Sequence, residues 1–294
     1  MSWLEVSFEI PKMLSEKCSE QLEQLGAVSV SFFDAGETPI LEPRPGETPL
    51  WNKVKIVGLF EDNITINAVH EALSDFLPNT PLQISPLADQ EWTRTWLEHF
   101  HPMQFGQNLW IVPSDTVLPE EKNAAIVTLD PGLAFGTGTH PTTALCLSWL
   151  DAHPPKDEVI IDYGCGSGIL GIAALKLGAK QVWAVDYDPQ ALIASAENAA
   201  RNSLSAEQLI TIQPQELPGS VKAQTILANI LAEPLIKLAP HLKEYCAEGG
   251  NIVLSGLLTK QLDAVKAAYS PWFLFEIPKT QEDWVLLVGT KVNN

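Results

Sequence analysis

Three glycines, an acid and an asparagine are the residues of this chain whose types and spacing could do chemistry. Gly164, Gly166 and Gly168 alternate with Cys165 and Ser167 in a stretch that needs backbone freedom rather than side chains. Asp186 follows the apolar run Gln181 to Val185, and Asn229 follows the run Gln224 to Ala228. A glycine bend lets a ligand approach the main chain closely. An ionised carboxylate can accept two hydroxyl donors at once. An asparagine carbonyl can accept an amine hydrogen and so aim the nitrogen lone pair at a reacting carbon.

The elements around these residues are legible. Val159 to Asp162 is a short run rich in β-branched residues, as suits a strand buried on both faces. Ile169 to Leu177 is an Ala/Leu-rich helix, with Gly178 placed just past its end. Gln181 to Val185 is the next strand. Strand, glycine bend, helix and strand with a terminal acid make a βαβ mononucleotide-binding unit, whose ligand lies across the carboxyl ends of the strands. Asp188, followed by Pro189, reads as the cap of the next helix, which leaves Asp186 free for a ligand.

The spacing selects the ligand. The dinucleotide fingerprint is G-x-G-x-x-G, and here the third glycine comes one residue early. Asp162 before the bend also adds a negative charge where a pyrophosphate would be repelled. A cation carrying a ribose suits the bend better. S-adenosylmethionine, with its sulfonium, α-ammonium and ribose diol, meets that description, and Asp186 is the expected acceptor for the diol.

At this point a resemblance enters. The stretch DYGCGSG (Asp162 to Gly168), followed by a strand ending VDYD, resembles the first two motifs of class I S-adenosylmethionine-dependent methyltransferases. LDPGLAFGTGTHPTT (Leu129 to Thr143), LANILAEPL (Leu227 to Leu235) and EPRPGETPLW (Glu42 to Trp51) narrow this to the bacterial ribosomal protein L-eleven methyltransferase family, nearly end to end. The resemblance implies a seven-stranded Rossmann-like methyltransferase domain with S-adenosylmethionine as methyl donor. Its substrate would be ribosomal protein L-eleven, modified at lysine side-chain and N-terminal α-amines. It also implies that the Thr143 hydroxyl meets the cofactor, so that the cofactor set is Thr143, Gly164, Gly166, Asp186 and Asn229. Asn229 doubles as the catalytic residue, because Asn-Ile-Leu-Ala stands where amine and amide methyltransferases carry an N-P-P-Y-type motif. Ile230 and Leu231 replace the proline and aromatic that stack a flipped base, which favours a flexible aliphatic amine. An ordinary cap for the following helix is the plainer role for Asn229. In class I enzymes the adenine amine meets a residue near the next strand end; Gln213, Gln215 and Glu216 all qualify here.

Composition agrees. A chain of 294 residues that is 46% hydrophobic suits two domains with full cores. There is no apolar run of membrane-spanning length and no signal-like N-terminus, so a cytoplasmic protein is expected. Cys18, Cys146, Cys165 and Cys246 form no C-x-x-C pair, which argues for a reducing compartment and against a metal site. A net charge of −18 leaves no basic footprint for nucleic acid and favours a basic partner. Nothing demands more than a monomer.

The first eighty-odd residues read β-α-β-β-α-β, a small α+β ferredoxin-like domain over residues 1–88. In the family this domain recognises the substrate protein. Residues 89–102 carry Trp92, Trp96 and Phe100 at helical spacing and are expected to form a linker helix, with the methyltransferase domain over 103–294. Leu109 to Val112 and Ala125 to Leu129 read as two strands that could form a hairpin. Phe135 to Thr139 reads as a glycine-rich lid, with Thr139 capping the helix that begins near Pro141. His140 is a candidate general base, with a capping or packing role the plainer reading. Cys165, with no histidine nearby in sequence, is taken as a small tolerated side chain. Two other functions compete. A nicotinamide-dependent oxidoreductase fails on glycine spacing and on Asp162. A class I methyltransferase for another protein or a small-molecule amine remains the alternative.

Overall fold

The computed structural model describes residues 3–36, 40, 48–61, 64–87, 101–116, 124–130 and 138–292. The chain divides into two compact units, one up to Trp92 and one from Thr93 onward. The expected linker helix over 89–100, the connection through 41–47 and the lid residues Phe135 to Thr137 lie outside the described residues.

The first unit is a four-stranded antiparallel sheet of β1 (Trp3–Pro11), β2 (Ser29–Asp34), β3 (Lys53–Glu61) and β4 (Gln83–Leu87). Its order is β2-β3-β1-β4, so each crossover helix skips over one strand. Alternation explains why it folds this way. Val6, Phe8, Ile10, Val54, Ile56 and Phe60 point to one face, where Cys18 and Leu22 of the helix Ser15–Gln24 meet Val69 and Leu73 of the helix Ile66–Leu73.

In the second unit, β5 (Met103–Phe105), β6 (Leu109–Val112) and β7 (Ala125–Thr128) form a small separate sheet. The expected hairpin is not formed: β6 and β7 run parallel, and β6 instead pairs antiparallel with β5. A two-sided apolar run does not reveal strand direction. The main sheet holds β8 (Val159–Tyr163), β9 (Gln181–Val185), β10 (Leu209–Ile212), β11 (Ala223–Asn229), β12 (Cys246–Leu258), β13 (Phe273–Phe275), β14 (Lys279–Gln281) and β15 (Trp284–Lys291). Seven strands run in the order β10-β9-β8-β11-β12-β15-β13, and β14 pairs with β15, so the sheet has eight strands where seven were expected. The extra strand is short, exposed and polar, and carries none of the apolar signal by which a strand is read from sequence. β8 to β12 are parallel, and β15 is antiparallel to β12 and β13.

The helix Ile169–Lys176 after β8 ends as its sequence requires. Gly178 is left-handed at φ +116°, with the Gly178 and Ala179 N–H groups donating to the Leu175 and Ala174 carbonyls at 3.1 and 2.9 Å. The helix Pro189–Arg201 presents Ala191, Ser195, Asn198 and Ala199 to the interior, with the buried Asn202 following at its end. Asn202 acts as a substitute strand for β7. Its Oδ1 accepts the Thr128 N–H and its Nδ2 donates to the Thr128 carbonyl, both at 2.7 Å. Asn202→Ala orphans both groups, and is expected to cost about 2–4 kcal/mol of unfolding free energy in urea titrations. A loss under about 0.5 kcal/mol, as at an ordinary surface site, would contradict this account of β7.

Candidate active site

The order β9-β8-β11 places three neighbouring parallel strands with their carboxyl ends on one edge, and strand order reverses direction beside β8. Open sheets of this kind bind ligands at such a switch point. Asp186 follows β9, the glycine bend follows β8, and Asn229 ends β11.

The bend is held from several sides. Gly164 and Cys165 donate their N–H groups to the Val185 carbonyl at 2.7 and 3.1 Å, and Gly168 donates to Cys165 at 2.8 Å. Gly164, Gly166 and Gly168 have φ of +78°, +54° and +78°, a region that penalises any Cβ. Ser195 Oγ donates to the Gly166 carbonyl at 2.9 Å and Asn198 Nδ2 to the Ser167 carbonyl at 2.8 Å. Sequence reading did not single out these two clamps. Their signal was two polar residues on the buried face of an Ala-rich helix.

Asp186 is 8% exposed. Its Oδ2 accepts the Gly166 N–H and its Oδ1 the Asp188 N–H, both at 3.0 Å. A carboxylate has about four acceptor sites, so two remain for donors from a ligand. Asp188 itself caps the next helix, accepting the Gln190 N–H at 2.9 Å, as the sequence indicated.

Asn229 does not cap a helix. The helix after β11 begins at Ala232 with Leu231 before it and no side-chain cap. Asn229 Nδ2 instead donates to Thr143 Oγ1 at 3.2 Å, and Asn229 Oδ1 is buried with no hydrogen-bond partner. Thr143 is itself buried in the first turn of the helix Pro141–Ala152. Leu231, half exposed at this strand end, and Tyr187, exposed beyond Asp186, add apolar surface along the same edge.

Asp162 departs from expectation. It is 1% exposed and accepts the Gly171 N–H at 2.9 Å, beneath the following helix rather than at the mouth of the bend. Burial pushes its carboxyl up to about 7, against the pull of the Gly171 N–H and with help from the negative Asp186. Discrimination against a dinucleotide therefore rests on the glycine spacing.

His140, not Thr139, caps the helix Pro141–Ala152. Its Nδ1 accepts the Thr142 N–H at 3.3 Å, and its ring meets Trp284 edge-on at 4.8 Å. Burial, opposed by Glu282, lowers its pKa, which suits a neutral capping imidazole. Cys165 is buried against Ser195 Oγ at 3.3 Å, and desolvation raises its pKa, so it is no nucleophile. Gln213, Gln215 and Glu216 are engaged with one another: Glu216 accepts the Gln213 N–H at 3.1 Å, and Gln215 Nε2 donates to Gln213 Oε1 at 2.5 Å. Among the described residues no cluster of His, Cys, Asp or Glu could hold a metal, and no helix is long and apolar enough to cross a membrane.

The set of acceptors fits S-adenosylmethionine. Asp186 can take ribose hydroxyls, and the orphaned Asn229 oxygen can take an amine or ammonium hydrogen. Sheet order and site together define an α/β methyltransferase, a class of enzyme whose methyl donor is S-adenosylmethionine. The family model described as ribosomal protein L11 methyltransferase matches residues 2–292. Curated relatives of that name are 45% identical: from Actinobacillus pleuropneumoniae serotype 3 (99% of this chain, 100% of the relative), Marinobacter nauticus (99% and 99%) and Haemophilus influenzae (98% and 98%). A solved ribosomal protein L11 methylase from Lactobacillus delbrueckii subsp. bulgaricus is 34% identical, with a TM-score of 0.60 over 66% of this chain and 100% of that one. The chain belongs to the ribosomal protein L11 methyltransferase family.

The buried Asp162 makes stability pH-dependent. Unfolded, it ionises near 3.8; folded, near 7. Between those values the native state holds a proton the unfolded chain has released, so this group's contribution to stability declines as pH rises through the window. The melting temperature of Asp162→Asn should therefore rise relative to the parent from about pH 4 to about 7 and level off above that. A difference constant across that range would contradict it.

Proposed function

We propose that this enzyme transfers methyl groups from S-adenosylmethionine to lysine side-chain and N-terminal α-amines of ribosomal protein L11, with Asn229 aiming the acceptor nitrogen. The observation that carries this is the Asn229 amide: its Nδ2 is held by Thr143 and its Oδ1 is buried without a donor, at the strand end where ligands gather. A buried acceptor left unpaired costs about 1–3 kcal/mol, which an amine N–H relieves.

In this reading Thr143, Gly164, Gly166, Asp186 and Asn229 hold the cofactor. Gly164 and Gly166 bring main chain close to it, and Asp186 takes the ribose diol. Thr143 still has a hydroxyl hydrogen to donate after accepting from Asn229. Bound S-adenosylmethionine supplies a methyl carbon activated by its positive sulfur. The chain must present a neutral nitrogen in line with that carbon, at near-attack distance. The Asn229 oxygen accepts one amine hydrogen and so turns the lone pair away from itself. Burial of an amine against this edge lowers its pKa, as does a neighbouring positive charge, so no dedicated base is required. Held at Asp186 and the glycine bend, the donor would supply its methyl to the nitrogen's lone pair and keep the old S–C pair as a neutral thioether, and the amine's proton would leave to solvent.

Residues 1–88 are assigned as the ferredoxin-like domain that recognises the substrate protein and 103–294 as the methyltransferase domain. The strand order β2-β3-β1-β4 with two crossover helices supports the first assignment. The charge of −18 suits a basic ribosomal protein and disfavours direct nucleic-acid contact. The enzyme is assigned to the cytoplasm as a monomer.

The test is transfer of labelled methyl to a ribosomal protein extract. Label should appear in protein L11, and Asn229→Ala should lower kcat about 100-fold at saturating donor, more than it weakens donor binding. Full rate with unchanged donor affinity would refute the aiming role, and label confined to RNA would refute the substrate class.

A further inference from the structure

Asn229 can aim an amine only if the peptide after it is fixed, and the structure fixes that peptide between two glycines of other elements. Pairing of β12 with β15 slips between Leu254 and Leu257, so that three steps along β12 face two along β15. This is a β-bulge, and Gly256 within it has φ +81°. On its other side β12 runs parallel to β11, with Asn229 opposite Ser255. The bulge therefore turns Gly256 onto the residue that follows Asn229. A Cβ at Gly256 would lie 2.4 Å from the Ile230 carbonyl oxygen, 2.7 Å from its carbon and 2.9 Å from its nitrogen. Gly256 thus lies against the Ile230 peptide, and any side chain there would displace it.

The second contact runs to the cofactor bend. A Cβ at Gly164 would lie 2.2 Å from Ile230 Cγ2, so the Ile230 methyl rests on the backbone of the bend itself. Ile230 is held by its peptide on the bulge and by its methyl on the bend. The first contact fixes where Asn229 stands. The second ties that position to the loop beneath the methyl donor.

We infer that Ile230 and Gly256 are positioning residues for methyl transfer, a clamp that keeps the Asn229 amide in register with the cofactor bend. This rests on the reading that Asn229 aims the amine. The clamp acts on the distance between nitrogen and methyl more than on donor binding, because the bend is separately held by Val185, Asp186, Ser195 and Asn198. Its loss should therefore lower kcat by more than it weakens donor binding, in which Asn229 and Gly164 also share. A residue that served stability alone would move the melting temperature instead.

The experiment compares Ile230→Ala, Ile230→Val, Gly256→Ala and Asn229→Ala in the full chain. It reads kcat at saturating donor and protein substrate, donor Kd by calorimetry, and melting temperature. Valine keeps the Cγ2 methyl and alanine removes it. Misplacement on the ångström scale costs up to about 100-fold in rate, so Gly256→Ala should lose about 100-fold and Ile230→Ala about tenfold, with donor Kd changed by no more than in Asn229→Ala. Ile230→Val should keep its kcat within about twofold. Should Gly256→Ala fail to fold, the two Ile230 variants decide alone. A slow Asn229→Ala beside a folded Ile230→Ala at parental rate refutes the clamp and leaves the aiming role standing. Parental rate in Asn229→Ala refutes the aiming role, and the clamp with it.

Discussion

The hydrogen bond from the Gly166 N–H to the Asp186 carboxylate joins the glycine bend to the neighbouring strand, and the geometry of the cleft follows from it. The bend must be left-handed at three positions to expose its N–H in that direction, which only glycine does cheaply. The same carboxylate takes the Asp188 N–H, so its plane is fixed before any ligand arrives. Parallel strands then do the rest. β9, β8 and β11 end at one edge, and the acid, the bend and Asn229 share it without any long loop to hold them.

What the cleft offers is mainly acceptor capacity. Asp186 has lone pairs left after two backbone bonds, and the Asn229 oxygen has no donor at all. Buried acceptors of this kind are stable only when the surrounding fold determines them, and they favour a ligand that brings hydroxyl and amine hydrogens. A pyrophosphate brings none. The cationic methyl donor and the amine acceptor bring both.

Features set by local sequence were legible and those set by distant contact were not. The helix after β8, its Gly178 terminus and the Asp188 cap follow from neighbours in sequence, and the structure has them all. Asp186 could be told from Asp188 because only one of them stood before a helix-starting proline. The parallel pairing of β6 with β7 was hidden, because strand direction depends on the path between them. The cap itself was assigned to Thr139, the commoner capping residue, whereas the structure gives it to His140 in the capping role that the sequence also offered for that residue. Asp162 was read as a charge because burial and its bond to Gly171 cannot be seen in a linear motif. Gly256 was passed over for the same reason: neither its positive φ nor the Ile230 peptide lying on it leaves a mark in the chain around it.

The central claim is that a short glycine bend admits a ribose-bearing cation in place of a dinucleotide, with the strand-end acid holding its ribose. Titration calorimetry of the full chain against S-adenosylmethionine and against NAD tests it most directly. The account predicts saturable single-site heat with the first, its loss in Asp186→Ala, and none with the second. Heat with NAD of similar affinity, or none with S-adenosylmethionine, would contradict it.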